Sequence, residues 1–355
     1  MQNHLESIPH SRPTLGEEES KQVARVIESG QLAQGEAVRQ FEKAVSRMVG
    51  VRRAAATSSG TAALHLTLLA MDIGPGDEVI IPSYVCTALL NAVNYVGATP
   101  VLAEIDPATF NIDPYDVKNR LTARTRAIIV PHLFGLPANL EAFAGLNVPI
   151  IEDCAQAVGS TFQGKPAGSV GHAAVFSFYA TKVMTTGEGG MVVSNSTELI
   201  DRIRDLREYD NRDEYKKRFN YKLTDLQAAV GLCQLQRLPD FIQRRRSVAR
   251  RYDRAFANLG FRLPVIDSGH IYFRYVIDLV ARADAWIEAL AGREIACVRP
   301  IHKPLHSYLH QKDYHRSQRA WETSLSIPIY PTLTGEQIDQ VIEAFIKTTK
   351  GLACE

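Results

Sequence analysis

The sequence lacks the cysteine spacing that a disulfide framework or a zinc site requires. Its five cysteines are scattered, odd in number and never spaced as CxxC: Cys86, Cys154, Cys233, Cys297 and Cys354. Small secreted domains held by disulfides and zinc ribbons both need paired or closely spaced thiols. We therefore expect no disulfide and no cysteine-bound metal, and we interpret the cysteines as small buried hydrophobic residues.

The sequence also has no long apolar run and no excess of either charge. The first twenty residues, MQNHLESIPHSRPTLGEEES, lack the apolar core of a signal peptide, and no later run approaches the roughly 18 apolar residues of a membrane helix. Forty basic and 39 acidic residues give a formal net charge of +1. This balance gives no electrostatic basis for binding nucleic acid or an anionic membrane. We expect a cytoplasmic protein with neither as a partner.

The length and the order of apolar runs predict an α/β protein with two domains. A chain of 355 residues exceeds what one hydrophobic core usually supports. Short apolar runs alternate with helical stretches, and we predict these runs to be strands: 77–84, 99–106, 126–135, 148–153, 173–179 and 189–195. Several are apolar on successive residues, which is typical of strands covered on both faces. The alternation predicts a large domain over residues 1–240 with a mostly parallel central sheet, and a smaller C-terminal α+β domain over residues 241–355.

Two segments place polar side chains where an apolar strand ends. The run VPIIEDCAQA ends its strand in Glu152 and Asp153, where a carboxylate either caps the following segment or faces a cationic ligand nitrogen. The run FSFYATK ends its strand with Ser177 and then sets Lys182 ahead of a flexible Gly-Glu-Gly-Gly segment. Ligands of open α/β sheets bind at the carboxyl ends of strands, so we predict a ligand site here.

Two further segments place polar residues ahead of helices. The stretch TSSGTAALHL, residues 57–66, sets Ser-Ser-Gly-Thr at a helix start, where free N–H groups and hydroxyls can hold a phosphate. The same residue types are also ordinary N-caps. The stretch RFNYKLTDLQAA presents Asn220 and Lys222 ahead of a helix that we predict to begin near Thr224.

One cofactor, pyridoxal 5′-phosphate, needs all these residue types together. It requires a lysine amine for a Schiff base, a carboxylate paired with its pyridinium nitrogen, and a phosphate site. The carboxylate keeps the ring nitrogen protonated, so that the ring can accept the electron pair left when a Cα proton departs. The lysine must be displaceable and then able to move that proton, and a flexible glycine-rich neighbour allows this.

The segments that carry these residues resemble one enzyme family in their order along the chain. They are SSGTAAL, GPGDEVIIPS, NIDP, IEDCAQA, FSFYATKVMTTGEGG and NYKLTDLQAA. The resemblance is to the DegT/DnrJ/EryC1/StrS family, which consists of pyridoxal-phosphate-dependent sugar aminotransferases with the aspartate-aminotransferase type fold, fold type I. It extends from SGQLAQG at residues 29–35 to LSIPIYPTLT at residues 325–334, nearly the whole chain.

The resemblance implies roles for three residues around the cofactor ring. Lys182 is similar to the Schiff-base lysine that also moves the proton, Asp153 to the pyridinium partner, and Gln156 to the residue beside the 3-oxygen. The activity implied is an aminotransferase that moves an amino group from L-glutamate to a nucleotide-linked keto-deoxysugar.

The resemblance also implies a phosphate site that two subunits share. Gly60, Thr61 and Ser177 resemble the set that binds the cofactor phosphate within one chain. Asn220 resembles a phosphate contact donated by a second subunit, which implies a homodimer with shared active sites.

Two positions depart from the family pattern. The family carries an aromatic residue that stacks on the pyridine ring, and this chain has Cys86 at the aligned position in PSYVCTALL. Either Tyr84 reaches the ring instead, or the ring is stacked less well and the cofactor is held more weakly. Gln31 in SGQLAQG also replaces an aromatic residue, which leaves the identity of the substrate open.

Two alternative functions use the same fold. A related dehydratase would use the same cofactor to remove a sugar hydroxyl, but such family members often have histidine at the position of Lys182. A non-catalytic regulatory or cofactor-binding protein is the second alternative, and the presence of Lys182, Asp153 and Gln156 argues against it.

Two other patterns we interpret as structural. The segment HKPLHSYLHQKDYH contains four histidines, His302, His306, His310 and His315, of which His306 and His310 have the spacing of a helical metal pair. No HExxH pattern or nearby cysteine supports a metal, so we expect none. The basic stretch QRRRSVARRYDR, residues 243–254, has no interleaved aromatic residues, and we interpret it as a solvated helix face.

Overall fold

The computed structural model describes residues 7–352 of the chain. The α-helices in this range are α1 (Glu17–Ser29), α2 (Glu36–Val49), α3 (Gly60–Ala70), α4 (Thr87–Tyr95), α5 (Pro114–Arg120), α6 (Thr197–Arg207), α7 (Asp225–Phe256), α8 (Ala283–Ala291), α9 (Leu305–Tyr308), α10 (His315–Thr323) and α11 (Gly335–Leu352). None of them is both long and apolar enough to cross a membrane. The helix expected near Thr224 begins there, with Thr224 as its N-cap.

Seven strands form a central sheet in which all but β9 run in one direction. The strands of the described range are β1 (Arg53–Thr57), β2 (Glu78–Pro82), β3 (Thr99–Ala103), β4 (Thr125–Pro131), β5 (Ile150–Asp153), β6 (Thr161–Phe162), β7 (Lys165–Pro166), β8 (Ala173–Ser177), β9 (Gly190–Ser194), β10 (Tyr275–Asp278) and β11 (Ser324–Ile327). The order across the central sheet is β1-β9-β8-β5-β4-β2-β3. Its central strands pair in parallel, whereas β9 is antiparallel to both neighbours. The predicted mostly parallel sheet of an α/β protein is confirmed.

Each predicted strand corresponds to an observed one, but the run 126–135 ends earlier than expected. β4 stops at Pro131, and Leu133–Gly135 forms a 3-10 turn in which Phe134 has a φ of 58°. The side-chain oxygens of Asn111 and Gln156 accept the N–H groups of Leu133 and Phe134 at 2.8 and 2.9 Å. These bonds replace strand pairing and turn the chain across the sheet edge.

The central sheet is covered on both faces. Side chains along its strands alternate between two hydrophobic clusters, so that Val175 and Phe176 of β8 belong to different ones. Helices α3, α4 and α6 contribute to the first cluster, and α2 and the first half of α7 contribute to the second. This arrangement explains why the strands are apolar on successive residues.

A second, smaller core surrounds the antiparallel pair β10–β11. It buries side chains of α8, α11 and the second half of α7. Helix α7 therefore contributes Leu238 to the sheet and Val248 to the C-terminal core. Between these positions, Arg245 Nη1 donates to the carbonyl oxygens of Phe273 and Ile329 at 3.1 and 2.8 Å. The chain passes from one core to the other within α7, and we retain residue 240 as a proposed domain boundary.

Candidate active site

The predicted site residues lie at one edge of the central sheet. Asp153 ends β5, Ser177 ends β8, Gly60 begins α3 after β1, and Lys182 follows β8. Because these strands run in one direction, their carboxyl ends share an edge, where open α/β sheets bind ligands. The charges of Asp153 and Lys182 act on each other's pKa, and both act on that of Cys86. The three groups therefore lie close to one another, and we refer to the space between them as the cleft.

Lys182 lies in the loop between β8 and β9. Its N–H donates to the carbonyl oxygen of Tyr179 at 2.9 Å, and its Nζ lies 5.3 Å from the centroid of the Phe273 ring. Desolvation lowers the pKa of the amine, although Cys86 and Asp153 oppose this shift. A lowered pKa favours the neutral amine, which is the form that adds to a carbonyl carbon.

Asp153 presents a buried carboxyl group to the same cleft. Its Oδ1 accepts the N–H of Ala155 at 3.0 Å, and the described chain brings no arginine or lysine within ion-pair distance of it. Desolvation raises the pKa of this carboxyl. The hydrogen bond from the N–H of Ala155 and the charge of Lys182 lower it, but by less. A buried carboxylate needs a cationic or hydrogen-bonding partner, and the N–H of a protonated pyridine ring fits this need.

The neighbouring Glu152 has a structural role on the opposite face of β5. Its carboxylate accepts hydrogen bonds from His132 Nε2 at 2.9 Å and from backbone N–H groups at 2.6 to 2.9 Å, which belong to Gly168, Val170 and Gly171. The structure thus distinguishes the two acids. The hydrogen-bonding capacity of the Glu152 carboxylate is filled within the protein, whereas that of Asp153 is not.

His132, Glu152 and Cys154 place three ligand-type atoms within 4.8 Å of one another. His132 Nδ1 accepts the N–H of Ala138 at 2.9 Å, so its Nε2 carries the proton donated to Glu152. Both ring nitrogens are therefore occupied. A metal would have to displace these buried bonds, and we interpret the group as a hydrogen-bond network.

Two glycines allow the segments of the phosphate site to approach each other. A Cβ on Gly60 would lie 2.9 Å from Ser177 Cβ, and a Cβ on Gly190 would lie 2.3 Å from the carbonyl oxygen of Ser59. Ser59 caps α3 by accepting the N–H of Ala62 at 3.1 Å. The N-terminus of α3, with Gly60 and Thr61, is thereby held against Ser177, and the positive end of the helix dipole suits a phosphate.

Gln156 uses only one end of its amide for a hydrogen bond within the described residues. Its Oε1 accepts the N–H of Phe134 at 2.9 Å, and the backbone donor fixes which end of the amide is the oxygen. The NH₂ group donates to no acceptor within residues 7–352. It is therefore free to donate to a ligand oxygen, as the proposed contact with the cofactor's 3-oxygen requires.

The structure decides where Tyr84 points. Tyr84 is fully buried, packs against Phe110 and Phe134, and donates its hydroxyl to the carbonyl oxygen of Ala320 at 3.4 Å. It is a core residue and does not replace the missing aromatic ring. Cys86, just before α4, is exposed to solvent.

Cys86 is also the exception among the cysteines. Cys154, Cys233 and Cys297 are buried, as expected, whereas Cys86 is exposed. The prediction that all were buried small hydrophobic residues is wrong for Cys86, because it lies in the connection between β2 and α4, where its side chain is exposed. Cys354 lies outside the described residues.

Asn220 is exposed, and its segment passes beside the phosphate site. The carbonyl oxygen of Tyr221 accepts the N–H of Ser58 at 2.7 Å, which ties the segment to the turn before α3. The ring of Tyr221 stacks on Phe219 with centroids 5.0 Å apart. The contact of Asn220 with a partner's cofactor stays a prediction.

Two other residues singled out in the sequence have different surroundings. Lys222 Nζ pairs with Asp210 Oδ2 at 2.6 Å. Gln31 lines an open groove of about 850 Å³ between α1, α2 and α7. Neither residue is among the contacts described around Lys182.

The histidine-rich segment does not form the helical pair that its spacing allows. Helix α9 ends at Tyr308, so that His306 and His310 do not share a helix. The ring nitrogens of His306 contact Ser83 Oγ at 2.7 Å and Gln318 Oε1 at 3.1 Å. Its hydrogen bonds are thus satisfied by the protein.

Two residues of the cleft were missed in the sequence. Phe273 lies beneath Lys182, and the charge of Arg274 contributes to the lowered pKa of Lys182. The available signal was a single arginine within the apolar run HIYFRYVIDLV. A charged residue in an otherwise buried run is informative because burying it is costly.

The fold and the site define a pyridoxal-phosphate-dependent enzyme of fold type I. A lysine shifted toward its neutral form, an unpaired buried carboxyl group and a helix N-terminus packed against a serine meet at the carboxyl edge of the sheet. The chain belongs to the DegT/DnrJ/EryC1/StrS aminotransferase family, which it matches over residues 13–346. The predictions of family, enzyme class and cofactor are confirmed.

Curated relatives are similar over most of the chain. The spore coat polysaccharide biosynthesis protein SpsC of Bacillus subtilis (strain 168) is 36% identical, with 98% of both chains covered. GDP-perosamine synthase of Caulobacter vibrioides is 38% identical and covers 87% of this chain and 89% of its own.

Solved structures share the fold closely. The PMP-form of the putative sugar aminotransferase Spr1654 from Streptococcus pneumoniae superposes with a TM-score of 0.92 at 28% identity, covering 98% of this chain and 99% of its own. The aminotransferase TlmJ from Streptoalloteichus hindustanus gives a TM-score of 0.91 at 32% identity, covering 98% and 100%.

Proposed function

We propose that the protein transfers an amino group from L-glutamate to the keto group of a nucleotide-linked deoxysugar. The observation that carries this proposal is the placement of the buried Asp153 at the end of β5 and of Lys182 after the neighbouring parallel strand β8, where each charge acts on the other's pKa. A sugar acceptor is supported by relatives named as sugar aminotransferases, and a nucleotide linkage by the name GDP-perosamine synthase. L-Glutamate as donor rests on the family resemblance.

The residues of the cleft have separate tasks in this reaction. When bound, pyridoxal phosphate supplies a reactive carbonyl carbon and an electron-accepting ring. Asp153 would hold the proton on the ring nitrogen, and the NH₂ of Gln156 would donate to the 3-oxygen. The N-terminus of α3 and Ser177 would hold the phosphate. Lys182, as a free amine, takes the Cα proton of the amino donor, and in the second half-reaction it moves a proton in the opposite direction.

We also infer that two copies of the chain share each site, with Asn220 reaching the partner's phosphate. A cluster of aromatic rings beside Asn220, of which Tyr95 is exposed, supports an interface on this side. The ring of His65 lies 4.9 Å from that of Phe219 and 5.4 Å from that of Tyr95, which is 57% exposed. Apolar side chains that remain exposed next to a ligand site are typical of an interaction surface.

The visible absorption spectrum of the purified protein with added pyridoxal phosphate tests the proposal. We expect a Schiff-base band that is lost when L-glutamate is added and returns when a nucleotide-linked keto-sugar follows. Lys182→Ala should form no such band, whereas Lys222→Ala, which changes a lysine paired with Asp210, should behave as wild type. A band unaffected by L-glutamate would contradict that donor. Loss of a sugar hydroxyl without amino transfer would favour the dehydratase.

A further inference from the structure

Arg207, the last residue of α6, forms a buried ion pair with Glu42 of α2. Its Nη1 donates to Glu42 Oε1 at 2.8 Å and to the carbonyl oxygen of Ala56 at 2.7 Å. Glu42 Oε1 also accepts the N–H of Ala56 at 2.8 Å, and both charged residues are 5% exposed. Burying two charges is costly unless further hydrogen bonds compensate them, and here both members of the pair bond the same residue of β1.

These contacts hold the free edge of β1. This strand is an outer strand of the central sheet, with β9 on one side only. On its other side, the carbonyl oxygen of Ala54 accepts a hydrogen bond from Arg204 Nη2 at 2.8 Å, and both backbone groups of Ala56 bond the ion pair. Side chains of α2 and α6 therefore take the place of a further strand, and they do so next to the turn that leads into α3.

The backbone of Arg207 reaches the same turn by a second route. Its carbonyl oxygen accepts the N–H of Tyr221 at 3.0 Å, and the carbonyl oxygen of Tyr221 accepts the N–H of Ser58 at 2.7 Å. Arg207 thus holds the chain at Ala56 and at Ser58, at both ends of the bend into α3. Because the bend is held at two points, it cannot shift unless these hydrogen bonds break.

We propose that Arg207 is the positioning residue for the phosphate group of the cofactor. The inference rests on the proposed function in one respect, the placement of this phosphate at the N-terminus of α3. A helix N-terminus binds phosphate through backbone N–H groups, and the turn that precedes the helix sets their directions. Because Glu42 compensates its charge, Arg207 acts on the phosphate through this turn and not by contact.

The test compares the binding of pyridoxal phosphate with that of pyridoxal, which lacks the phosphate. Each compound is titrated onto the apoproteins of wild type, Arg207→Met and Arg202→Met, and binding is followed by absorbance. The Arg202 variant is the matched control, because it loses a solvent-exposed ion pair with Asp72 on the same helix. We expect Arg207→Met to weaken the binding of pyridoxal phosphate by about tenfold to a hundredfold and to leave the binding of pyridoxal unchanged. Arg202→Met should match wild type with both compounds.

Three further variants separate positioning from a loss of stability. Arg207→Lys keeps a cation that can bond both Glu42 and Ala56, and it should recover part of the affinity for pyridoxal phosphate. The double variant Glu42→Met/Arg207→Met folds without leaving either charge of the pair buried alone, and it should show the same selective loss as Arg207→Met. Tyr252→Phe loses one buried hydrogen bond in the C-terminal core, and it should bind both compounds as wild type does.

The outcomes separate this inference from the proposed function. Equal losses of affinity for the two compounds in Arg207→Met and in the double variant would overturn the inference, and so would no loss for either compound. Ser177→Ala tests the placement of the phosphate in the same titrations. If Ser177→Ala selectively weakens pyridoxal phosphate and Arg207→Met does not, the placement stands and the inference fails; if neither does, both fail. A selective loss in Arg207→Met supports the inference even where L-glutamate converts no cofactor, because the titrations need no amino donor.

Discussion

At Lys182, burial and neighbouring charge act on the pKa in opposite directions. Desolvation lowers it, and the negative charges of Cys86 and Asp153 raise it. Desolvation is the larger effect, so the neutral amine persists at lower pH than for an exposed lysine. The same burial raises the pKa of Asp153, which makes the carboxyl dependent on a cation that the chain itself does not provide.

We predict that Schiff-base formation by the apoprotein is half-maximal below pH 10.5, the ordinary pKa of lysine. The reason is that the amine must be neutral to react. Asp153→Asn removes a charge that raises the pKa and should move the midpoint to lower pH. Arg274→Gln removes a charge that lowers it and should move the midpoint to higher pH. Stopped-flow absorbance across a pH series measures these shifts, and equal midpoints in all three proteins would contradict the electrostatic coupling.

The exposed Cys86 stands where the family pattern has an aromatic residue that stacks on the cofactor ring. We predict that Cys86→Phe tightens cofactor binding by about two- to tenfold, because stacking of aromatic rings contributes about 0.5–1.5 kcal/mol. The measurement is a fluorescence titration of the apoprotein with pyridoxal phosphate. Cys233→Phe, in which the substituted residue lies outside the cleft, serves as the control. Weaker binding by Cys86→Phe would show that the ring position does not face the cofactor.

The single residues of this site differed in how far the sequence could predict them. Lys182 and Asp153 were identified because the ordered segments resemble a known family and because both follow apolar strands. Arg274 was missed, since nothing in a strand-like run shows which distant side chains will meet it. The inward direction of Tyr84 was also open, because it depends on packing against Phe110 and Phe134.

Among the elements, α2 has an N-terminus that another helix caps. Its N-cap is Gly35, which has no side chain to accept a hydrogen bond. Asp225, at the start of α7, accepts the N–H groups of Gly35, Ala37 and Val38 at 2.7, 3.2 and 3.0 Å. One carboxylate therefore satisfies the free donors of α2 and ties it to α7.

We predict that Asp225→Ala lowers the free energy of unfolding by about 2–3 kcal/mol, because it leaves these donors unsatisfied and removes charge-assisted hydrogen bonds. Asp240→Ala, at an exposed position of the same helix, should change it by less than about 0.5 kcal/mol. Urea unfolding followed by circular dichroism gives both values. Equal stability of the two variants would contradict the capping role of Asp225.

The elements were predicted well where hydrophobic periodicity was strong and poorly where it was not. The start of α7 was correct because Thr224 and Gln227 form a capping box. β1 was not predicted, since RAAAT has three successive alanines, which favour helix over strand. It forms a strand because pairing with β9 and burial on both faces outweigh this local preference.

For the whole molecule, the proposed sharing of each site by two subunits makes a prediction that a monomeric enzyme would not meet. Lys182→Ala and Asn220→Ala should each be impaired, yet unfolding and refolding them together should restore about a quarter of wild-type activity, because half the dimers are hybrids with one intact site. Turnover of the refolded mixture measures this, with each variant refolded alone as the control. No gain on mixing would place Asn220 beside the phosphate of its own chain.

At the scale of the whole molecule, the sequence predicted the central sheet. It did not predict how the core of the sheet and the C-terminal core pack together. The mostly parallel sheet follows from alternating apolar runs. That Arg274 and Lys182, from distant parts of the chain, both lie beside the ring of Phe273 depends on long-range packing that no local pattern encodes. The resemblance to a family predicted the site residues because related chains share the same long-range packing.

Helix α7 connects the two cores and lacks one backbone hydrogen bond near the connection. It is continuous over 32 residues and contains Pro239, which has no N–H to bond the carbonyl oxygen of Leu235. This weak turn lies where the helix leaves the sheet and enters the C-terminal core. A bend of α7 at this turn would change how the C-terminal core is oriented to the sheet, and with it the distance between Arg274 and Lys182. The resistance of this turn to bending would then limit how far the cleft opens.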